Sequence, residues 1–492
     1  MKATTISTLT LMIGAMYAST AGQAETIRTV TGLSYWDRDR AFEGYTVFAA
    51  QGNGTTYALD MAGNVVHSWP IGGNPRLLDN GNLFARDTDG SFHEVDWDGN
   101  TVWSYKETRP NYVSHHDYVR AFNPKLGAPT TFYIANRDVT QEECIALGCD
   151  PANDYTGAQI DTIVEVDMDG NVIWEWRFVD HLVQDRYPDK ANYVGEGKTI
   201  ADYPGRLNVN LPGRPVRRDW LHLNAMDYNQ DLDQVMFDTV QGEVYIVDHG
   251  NTFVPGDPEA SLALAAGPKG DLLYRFGDPA RYGQGDPPRV LEDWTMSSPG
   301  HKQIGGVHDI QWIDEGLPGA GNLLLFNNAQ YLFERMPQSY VFEINPYLDA
   351  DGNDTGRYVN PPDAGYTVWE SDNLRNTHKL PKNLSNQIVW MYGSRSGQNF
   401  FSHIGSGAQR LPNGNTLICA DTEGHIFEVT ADGELVWEYI NPVTTDGEIV
   451  AEMIDAPPMH NPVFRAFRYS ADHPAFKGRT LTPMGSIAEY QD

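Results

Sequence analysis

The sequence predicts an all-β fold, a six-bladed β-propeller with loop insertions on one face. The chain combines 47 Gly and 30 Pro with 11% aromatic residues, which is typical of short strands joined by turns. A hairpin motif that ends in an aromatic residue recurs along the chain, and a second turn motif precedes most of its copies. About six such units without Pro/Ser linkers favour closure into a ring over a series of β-sandwiches.

The hairpin motif consists of an apolar pair, an acidic or polar position, an Asp-Gly or similar turn and an apolar run. Its clearest copy, EVDMDGNVIWEW, occupies residues 165–176. Further copies occupy residues 57–69, 94–103 and 427–439, and weaker copies end at Phe276 and Trp369. The second motif, Leu-X-Asn-Gly-Asn-X-Leu or a variant of it, occupies residues 77–83, 321–326 and 410–418. Two hairpins in succession would form one four-stranded antiparallel blade.

The first 24 residues are predicted to be a secretory signal peptide. Lys2 supplies a positive charge, residues 6–15 are mostly apolar, and Gly22-Gln23-Ala24 offers a cleavage site with small residues. An uncleaved anchor is the alternative, but the apolar run is short for a bilayer. We therefore expect a periplasmic or secreted protein with no membrane span after cleavage, in which residues 25–492 form a single propeller domain with a C-terminal extension.

Some segments fit neither motif. Residues 44–56 are predicted to form a strand that completes the last blade. Residues 179–219 and 278–305 are rich in Pro and Gly and are interpreted as insertions on one face, where long ordered loops usually shape a site or a lid. The tail after Pro457 is less regular and is expected to pack across the rim.

The three cysteines cannot staple a chain of this length. In an oxidising compartment Cys144 and Cys149 could close a small disulfide loop. Half of a metal site is the alternative, although the chain has no second cysteine pair to complete it. Cys419 lies in an apolar run and is expected to be a buried small hydrophobic residue.

The charge balance excludes some partners. Lys and Arg total 35 against 66 Asp and Glu, which gives a formal net charge of −31. Such a chain is not expected to bind nucleic acid or an anionic membrane as its main partner. An anionic substrate would need a locally basic pocket.

Four histidines share one position relative to the second motif. His116 and His222 lie six residues before the apolar residue that precedes the turn, His308 lies five before it, and His403 eight before it. This segment enters the innermost strand of a propeller blade, so the four side chains are predicted to converge on one axial pocket. Alternation along the strand would point only one of His115 and His116 inward. A single histidine of this kind is more often a hydrogen-bonded structural group, as we expect for the histidines outside this register.

A histidine cluster allows two chemistries. Neutral imidazoles can bind a transition metal together with a carboxylate, for which Asp117 and Asp309 are candidates. Alternatively, one histidine is a nucleophile or base while the others and an arginine neutralise an anionic group. Arg335, Arg395 and Arg410 are candidates for that arginine, and a surface ion pair is the alternative role for each.

Three segments resemble the bacterial arylsulfate sulfotransferase family: DWLHLNAMDYN at 219–229, GVHDIQ at 306–311 and GAQRLPNGNTL at 407–417. The resemblance extends over most of the chain, and D-W-L-H is its most specific part. It implies an exported six-bladed propeller that moves a sulfuryl group from a small aromatic sulfate ester to a phenol. The family uses neither a cofactor nor a nucleotide sulfate donor. One histidine becomes transiently sulfated, while other histidines and an arginine stabilise the transferring group.

The resemblance also assigns roles to residues. His222 and His308 match the motif histidines of the family, and His403 is the nearest candidate for its nucleophile. The residues predicted to bind the substrate are His116, Arg335, Arg410 and Asn224. The chain has Tyr340 where some relatives have Arg, and it is not expected to carry the N-terminal β-sandwich of some relatives.

Two functions from other classes remain as alternatives. One is a metal-dependent propeller hydrolase or lyase that uses the same histidines as ligands. The other is a propeller that binds an exported ligand without catalysis.

Overall fold

Six antiparallel sheets form the blades of a β-propeller in the computed structural model of the chain, which confirms the predicted fold class. The structure describes residues 30–211, 216–290, 296–298, 300–329, 338–369, 382–451 and 459–490. The predicted signal peptide lies outside these residues. The innermost strand of blade 4 contacts the innermost strands of blades 3 and 5, and these inner strands line the central channel.

The first three blades are formed by the N-terminal half of the chain and one C-terminal strand. From the channel outwards, blade 1 consists of Ala466–Tyr469, Tyr45–Ala49, Thr56–Leu59 and Val65–Trp69. Blade 2 consists of Arg76–Leu77, Leu83–Arg86, Phe92–Val95 and Thr101–Tyr105. Blade 3 consists of Tyr112–Asn123, Ala128–Val139, Ala158–Val166 and Val172–Arg177.

The other three blades follow in chain order. Blade 4 consists of Leu223–Asn229, Gln234–Thr239, Glu243–Asp248 and Tyr274–Phe276. Blade 5 consists of Val307–Trp312, Leu323–Asn327, Tyr340–Ile344 and Ile388–Tyr392. Blade 6 consists of Gly407–Arg410, Thr416–Ala420, His425–Val429 and Leu435–Ile440, with Gly32–Trp36 added outside them as a fifth strand.

Short elements lie between these strands. The helices are Gln141–Ala146, Pro258–Ala265 and Pro361–Ala364. The 3₁₀ turns are Phe178–His181, Ile200–Asp202, Pro268–Gly270, Pro279–Tyr282 and Asp421–Glu423. Three small pairs of strands join Leu182–Val183 to Leu207–Asn208, Arg289–Val290 to Met296–Ser298, and Tyr366–Trp369 to Lys382–Ser385.

The recurring Asp-Gly-Asn turn has the same hydrogen bonds in several blades. In blade 3 the carboxylate of Asp167 accepts from the backbone N–H of Asn171 at 2.8 Å and from its side-chain amide. Gly170, between them, has φ 82°, a conformation that favours glycine. The corresponding turns of blades 1 and 2 repeat these contacts. Side-chain capping of the turn thus explains why the motif joins the two outer strands.

The aromatic residue that ends the hairpin motif connects neighbouring blades. The indole N–H of Trp103 in blade 2 donates to the carbonyl of Met168 in blade 3 at 2.8 Å. Trp437 donates in the same way from blade 6 to Met61 in blade 1. In blade 5 the outer strand is not the predicted copy that ends at Trp369, which lies in a small strand pair, but Ile388–Tyr392, whose Trp390 donates to Ala431 in blade 6. A buried hydrophobic cluster also fills each of the six interfaces between blades. Full burial of a large apolar side chain contributes about 2 kcal/mol, so these interfaces hold the ring together.

The ring closes differently from the prediction for residues 44–56. Tyr45–Ala49 belongs to blade 1 rather than to the last blade, and it pairs with the C-terminal strand Ala466–Tyr469. The N-terminal segment that extends the last blade is Gly32–Trp36, which pairs with the outer strand of blade 6. The tail after Pro457 therefore supplies the innermost strand of blade 1 as well as the coil that follows it.

The predicted insertions lie on one face of the ring. Residues 179–219 connect the outer strand of blade 3 to the inner strand of blade 4, and residues 278–305 make the next such connection. Because the strands of each blade alternate in direction, every connection from an outer strand to the next inner strand lies on one face of the ring. The turns between second and third strands lie on the same face. By the same reasoning, the insertions that contain Pro258–Ala265 and Pro361–Ala364 lie on the opposite face.

The cysteines follow the predictions. Cys144 and Cys149 form a disulfide, and Cys419 is buried, with its thiol donating to the carbonyl of Val463. Within the described ranges, no helix is both long and apolar enough to cross a membrane.

Candidate active site

A cavity of about 540 Å³ opens at one end of the channel, on the face that carries the predicted insertions. Its lining includes three of the four histidines in the predicted register, namely His116, His222 and His308. The rest of the lining comes mainly from turns between the second and third strands of several blades, among them residues 51–53, residues 86–88 and Asp421. The cavity is therefore assembled from side chains that lie far apart in the sequence.

Irregular backbone places these histidines. His116 and His222 have φ values of 50° and 53°, and Asp309, which follows His308, has φ 54°. The ladder to the second strand is interrupted between Ser114 and Tyr118, between Leu223 and Met226, and between His308 and Gln311. Bulges re-aim side chains next to active sites, and left-handed residues other than glycine are concentrated there.

His308 is held as a neutral imidazole. Its Nδ1 lies 2.7 Å from Oδ1 of Asn328, whose amide nitrogen donates to the carbonyls of Ser402 and Gly405. The amide is therefore oriented so that Nδ1 of His308 carries the proton and Nε2 is an acceptor. The backbone N–H of Gly405 approaches that Nε2 at 3.3 Å. Burial lowers the pKa of His308 to about 4.

His222 has the opposite character. Its Nδ1 forms a hydrogen bond with the carboxylate of Asp219, three residues earlier in the D-W-L-H motif. Burial alone would lower the pKa of His222, but the hydrogen bond and the charge of Asp219 outweigh it and raise the pKa. The same pairing outweighs burial at Asp219 and holds its pKa at about 2. His222 is thus the cavity histidine suited to carry a proton.

His116 is connected to a carboxylate through its neighbour. Nε2 of His115 lies 2.9 Å from Oδ1 of Asp161, and Nδ1 of His115 lies 2.9 Å from Nδ1 of His116. Because the carboxylate accepts from His115 Nε2, Nδ1 of His115 accepts from His116. Nε2 of His116 is then a free acceptor, and burial with nearby histidines lowers the pKa of His116 well below its usual value. His116 lines the cavity and His115 does not, as strand alternation predicts.

The carboxylates proposed as partners for a metal on these histidines have another role. Asp117 and Asp309 both form ion pairs with the buried guanidinium of Arg465. Asp309 also accepts from the backbone N–H of Ala408 at 3.0 Å. The two carboxylates therefore brace the backbone beside His116 and His308.

His403, the predicted nucleophile, is half-buried and does not line the cavity, although Ile404 and Gly405 beside it do. Burial lowers the pKa of His403, which favours the neutral ring. Asn328 joins this turn to His308, since its amide bonds the residues on both sides of His403. The turn that carries His403 is thus fixed at the edge of the cavity.

Of the two arginines predicted to bind the substrate, the structure describes one. Arg335 lies outside the described residues. Arg410 donates to Glu343 at 2.7 Å and to the carbonyl of Pro318, so it joins blades 5 and 6 and does not line the cavity. Among the described residues, the arginine that lines the cavity is Arg86, at the end of the second strand of blade 2.

Arg86 is only partly satisfied by the protein. One of its terminal nitrogens donates to the carbonyl of Ser114 at 2.7 Å, whereas its buried Nε has no hydrogen-bond partner. Burial lowers the pKa of Arg86, as expected for a cation that lacks a close counter-ion. The cavity therefore contains a guanidinium able to receive an anion.

Two more polar groups face the cavity. Asn224, predicted to bind substrate, lines it; its amide nitrogen donates to the carbonyl of Val307 at 2.7 Å, and its buried Oδ1 has no donor. Asp421 is 1% exposed, and both of its oxygens accept from the side-chain amide of Gln51. Burial raises the pKa of Asp421 to about 8, so this carboxyl is neutral at pH 7.

Donor atoms close enough to share a metal ion lie elsewhere than in the alternative interpretation, in which the cavity histidines would bind the metal. Among the described residues, one group of three His, Cys, Asp or Glu residues has donor atoms that all lie within 4.8 Å of one another. The group consists of His115, Asp161 and Asp219, none of which lines the cavity.

Arg86, Asp421 and the role of Asp219 were missed in the sequence. Arg86 ends the second strand of blade 2 and Asp421 follows the second strand of blade 6, and no motif marks either residue. Asp219 could have been found, because it stands three residues before His222 in the segment with the most specific family resemblance.

Solved structures with similar shapes have low sequence identity. A protein of unknown function from Bacteroides caccae has 11% identity and a TM-score of 0.40, covering 87% of this chain and all of that chain. Streptogramin B lyase has 9% identity and a TM-score of 0.35, over 90% of this chain and 95% of that one. The β-propeller domain of Myceliophteria thermophila Cps50 (Swd1) has 10% identity and a TM-score of 0.35, over 83% and 89%. No curated protein matches the chain.

The family comparison is more specific. The family model described as Arylsulfotransferase (ASST) matches residues 29–240, which include Arg86, His116, His222 and Asn224. His308 and His403 lie beyond the matched segment. The match confirms the resemblance read from the D-W-L-H motif: residues 29–240 of this chain are similar to the arylsulfotransferase family.

Proposed function

We propose that this protein transfers a sulfuryl group from an aryl sulfate ester to a phenol, through a histidine that is sulfated in between. The arrangement that carries the proposal is the set of three cavity imidazoles whose Nδ1 atoms are each engaged by a neighbouring group. The Nε2 atoms of His116 and His222 are left to act on a ligand, whereas Nε2 of His308 is approached by the backbone N–H of Gly405 at 3.3 Å. The neutral rings can accept a hydrogen bond from a ligand and the protonated ring can donate a proton, while the nucleophile is His403, in the turn at the edge of the cavity.

The charges at the cavity suit a monoanionic ester. Arg86 and a protonated His222 would bind the sulfuryl oxygens, in a protein whose formal net charge is −31. Asp421 adds no repulsion while it is neutral, and its hydroxyl can donate to the same oxygens. These groups supply the locally basic pocket that an acidic protein needs for an anionic substrate.

The cavity walls suit an aromatic ring and a phenol. Val240, Ile404 and Phe464 provide apolar surface, and the ring of Phe464 lies edge-on to His308 at 6.1 Å between centroids. The unpartnered Oδ1 of Asn224 can accept from the hydroxyl of the acceptor phenol. A buried acceptor without a donor favours a ligand that brings one.

The reaction proceeds in two steps. A ring nitrogen of His403 attacks the sulfur, a nitrogen–sulfur bond forms, and the sulfur–oxygen bond to the aryl group breaks. The leaving phenolate takes the electron pair of that bond and a proton from His222. In the second step the acceptor phenol attacks the sulfur and gives its proton to His222, while the nitrogen–sulfur bond breaks and restores His403.

Export remains part of the proposal. The predicted signal peptide and the Cys144–Cys149 disulfide support a periplasmic or secreted protein. In that compartment the enzyme would act on small sulfate esters and phenols without a cofactor.

The intermediate can be tested directly. Purified protein is incubated with 4-nitrophenyl sulfate in the absence of a phenol, and intact-protein mass spectrometry is used to look for the addition of one SO₃ group. We expect the group on His403, rapid loss on adding phenol, and no adduct in His403→Ala. An adduct on His308 would show that His308, and not His403, is the nucleophile. The absence of both an adduct and nitrophenol release would refute the proposed function.

The role of Arg86 has a matched control. Arg86→Gln should lower kcat/KM for 4-nitrophenyl sulfate by about 100-fold, because it removes a charged contact to the transferring group. Arg38→Gln removes an exposed arginine that stacks on Trp36 and should leave kcat/KM unchanged.

A further inference from the structure

We propose that His115, Asp161 and Asp219 bind a divalent transition-metal ion of the zinc class, in a site that adjoins the cavity. One donor atom from each residue lies within 4.8 Å of the other two. Nε2 of His115 and Oδ1 of Asp161 are 2.9 Å apart, a separation that two ligands of one ion can have. Imidazole nitrogen and carboxylate oxygen are both normal zinc ligands.

Unbalanced charge supports the site. The side chain of Asp161 is fully buried and that of Asp219 is 35% exposed. In the described part of the chain, the only ion pairs of these carboxylates are with His115 and His222. Buried carboxylates are normally paired with a cation or coordinate a metal, so a divalent ion would offset the charge of Asp161, whereas Asp219 is already paired with His222.

Unused oxygen atoms also point to a ligand. Oδ2 of Asp161 and Oδ1 of Asn136 are buried and accept no hydrogen bond. Asn136 belongs to the site because its amide nitrogen donates to Asp219 at 3.2 Å. A buried acceptor without a donor is costly, and coordination to a cation satisfies it.

The surrounding hydrogen bonds are those that a metal site needs. With an ion on Nε2 of His115, the proton of that ring moves to Nδ1, which donates to Nδ1 of His116 at 2.9 Å. Asp219 is already oriented by Asn136 and by His222. Groups of this kind orient the ligands of most protein metal sites. The ion would therefore act on the cavity by setting which nitrogen of His116 carries a proton.

The donor set distinguishes between classes of ion. One imidazole and two carboxylates suit Zn²⁺ or Co²⁺, whereas Ca²⁺ and Mg²⁺ prefer oxygen ligands alone. Metal binding does not depend on the proposed sulfuryl transfer and can be measured without any sulfate ester.

The test uses untagged protein from which metal has been removed with a chelator. Zn²⁺ is titrated by calorimetry, and Co²⁺ by its visible absorption, which reports on the ligands. We expect one equivalent of either ion to bind. Asp161→Asn should weaken the affinity by more than about tenfold, and Asn136→Ala, which removes an orienting contact, by a smaller factor.

A second histidine–carboxylate pair provides the control. His249 Nε2 lies 2.9 Å from Glu165 in blade 3, and both side chains are buried. Glu165→Gln should leave Zn²⁺ and Co²⁺ binding unchanged. If Asp161→Asn does not fold, as judged by circular dichroism, His115→Gln takes its place. Failure of the wild type to bind Zn²⁺ or Co²⁺, binding of Ca²⁺ alone, or equal affinities of wild type and variant would overturn the site.

Discussion

The guanidinium of Arg465 forms an ion pair with the carboxylate of Asp309, the residue that follows His308. The same guanidinium pairs with Asp117, which follows His116, and its Nε donates to Asn74 at 2.8 Å. One fully buried cation thus connects blades 3 and 5, which are not neighbours, at the points where their inner strands bulge. The positions of two cavity histidines depend on this cation.

Replacing Arg465 should therefore be costly. Arg465→Met leaves Asp309 without its cation and Asp117 with only the longer contact to Arg76 at 3.4 Å, and it should lower the free energy of unfolding by about 3–5 kcal/mol, as measured by urea denaturation. Adding Asp117→Asn and Asp309→Asn should restore part of the loss, because the uncompensated charges are then removed. The exposed Arg38→Met is the control, and a loss as small as that of the control would contradict the role of Arg465.

The cavity histidines should differ in their protonation. At about pH 6, ¹⁵N imidazole spectra should show His308 as the neutral ring with its proton on Nδ1, since its pKa is about 4. His222 should remain protonated to higher pH than an ordinary histidine, because Asp219 raises its pKa. In Asn328→Asp the new carboxylate should raise the pKa of His308. Titration of both rings at one common pH would contradict the assignment.

Asp421 should make the stability depend on pH. Its pKa is about 8 in the folded protein against the ordinary 3.8, so between these values the folded state holds a proton that the unfolded state releases. The contribution of Asp421 is then fully present below about pH 4 and is lost as the pH rises to about 8. The stability of Asp421→Asn relative to wild type should therefore increase by at least about 2 kcal/mol from pH 5 to pH 9, as measured by urea denaturation. The exposed Asp231→Asn should show no such change.

The cysteines should react in a defined order. Without reductant, native protein should expose no thiol, and denatured protein should expose Cys419 alone. Reduction before denaturation should release Cys144 and Cys149 as well. Replacing both cysteines with Ser should lower the free energy of unfolding by only about 2 kcal/mol, because the loop that the disulfide closes is short. Two or more reactive thiols in denatured, unreduced protein would show that the disulfide is absent.

Local signals made most of the blades predictable. The Asp-Gly-Asn turns and the aromatic residues after them depend on contacts within one hairpin or between adjacent blades, as at Asp167 and Trp103. Ring closure had no such signal. Tyr45 pairs with Tyr469, and nothing in either segment identifies the other. The prediction for residues 44–56 found the strand and assigned it to the wrong blade.

The sequence predicted those residues of the site whose type recurs at the same position in several blades, and missed those that occur in one blade only. The common register of His116, His222 and His308 revealed the cavity, because each blade presents the same strand end to the channel. Arg86 and Asp421 lie in turns that repeat in position but not in residue type, so only the folded structure brings them to the histidines.

Arg465 immediately precedes Ala466–Tyr469, the strand that joins the last part of the chain to the first blade. Pairing of this strand with the first blade closes the ring, and it also places the guanidinium of Arg465 beside the residues that follow His116 and His308. A chain that ends before this point has every histidine of the cavity and lacks the group that holds two of them in place. The blades can form one after another along the chain. The cavity is complete only when the strand near the C-terminus has paired with the first blade.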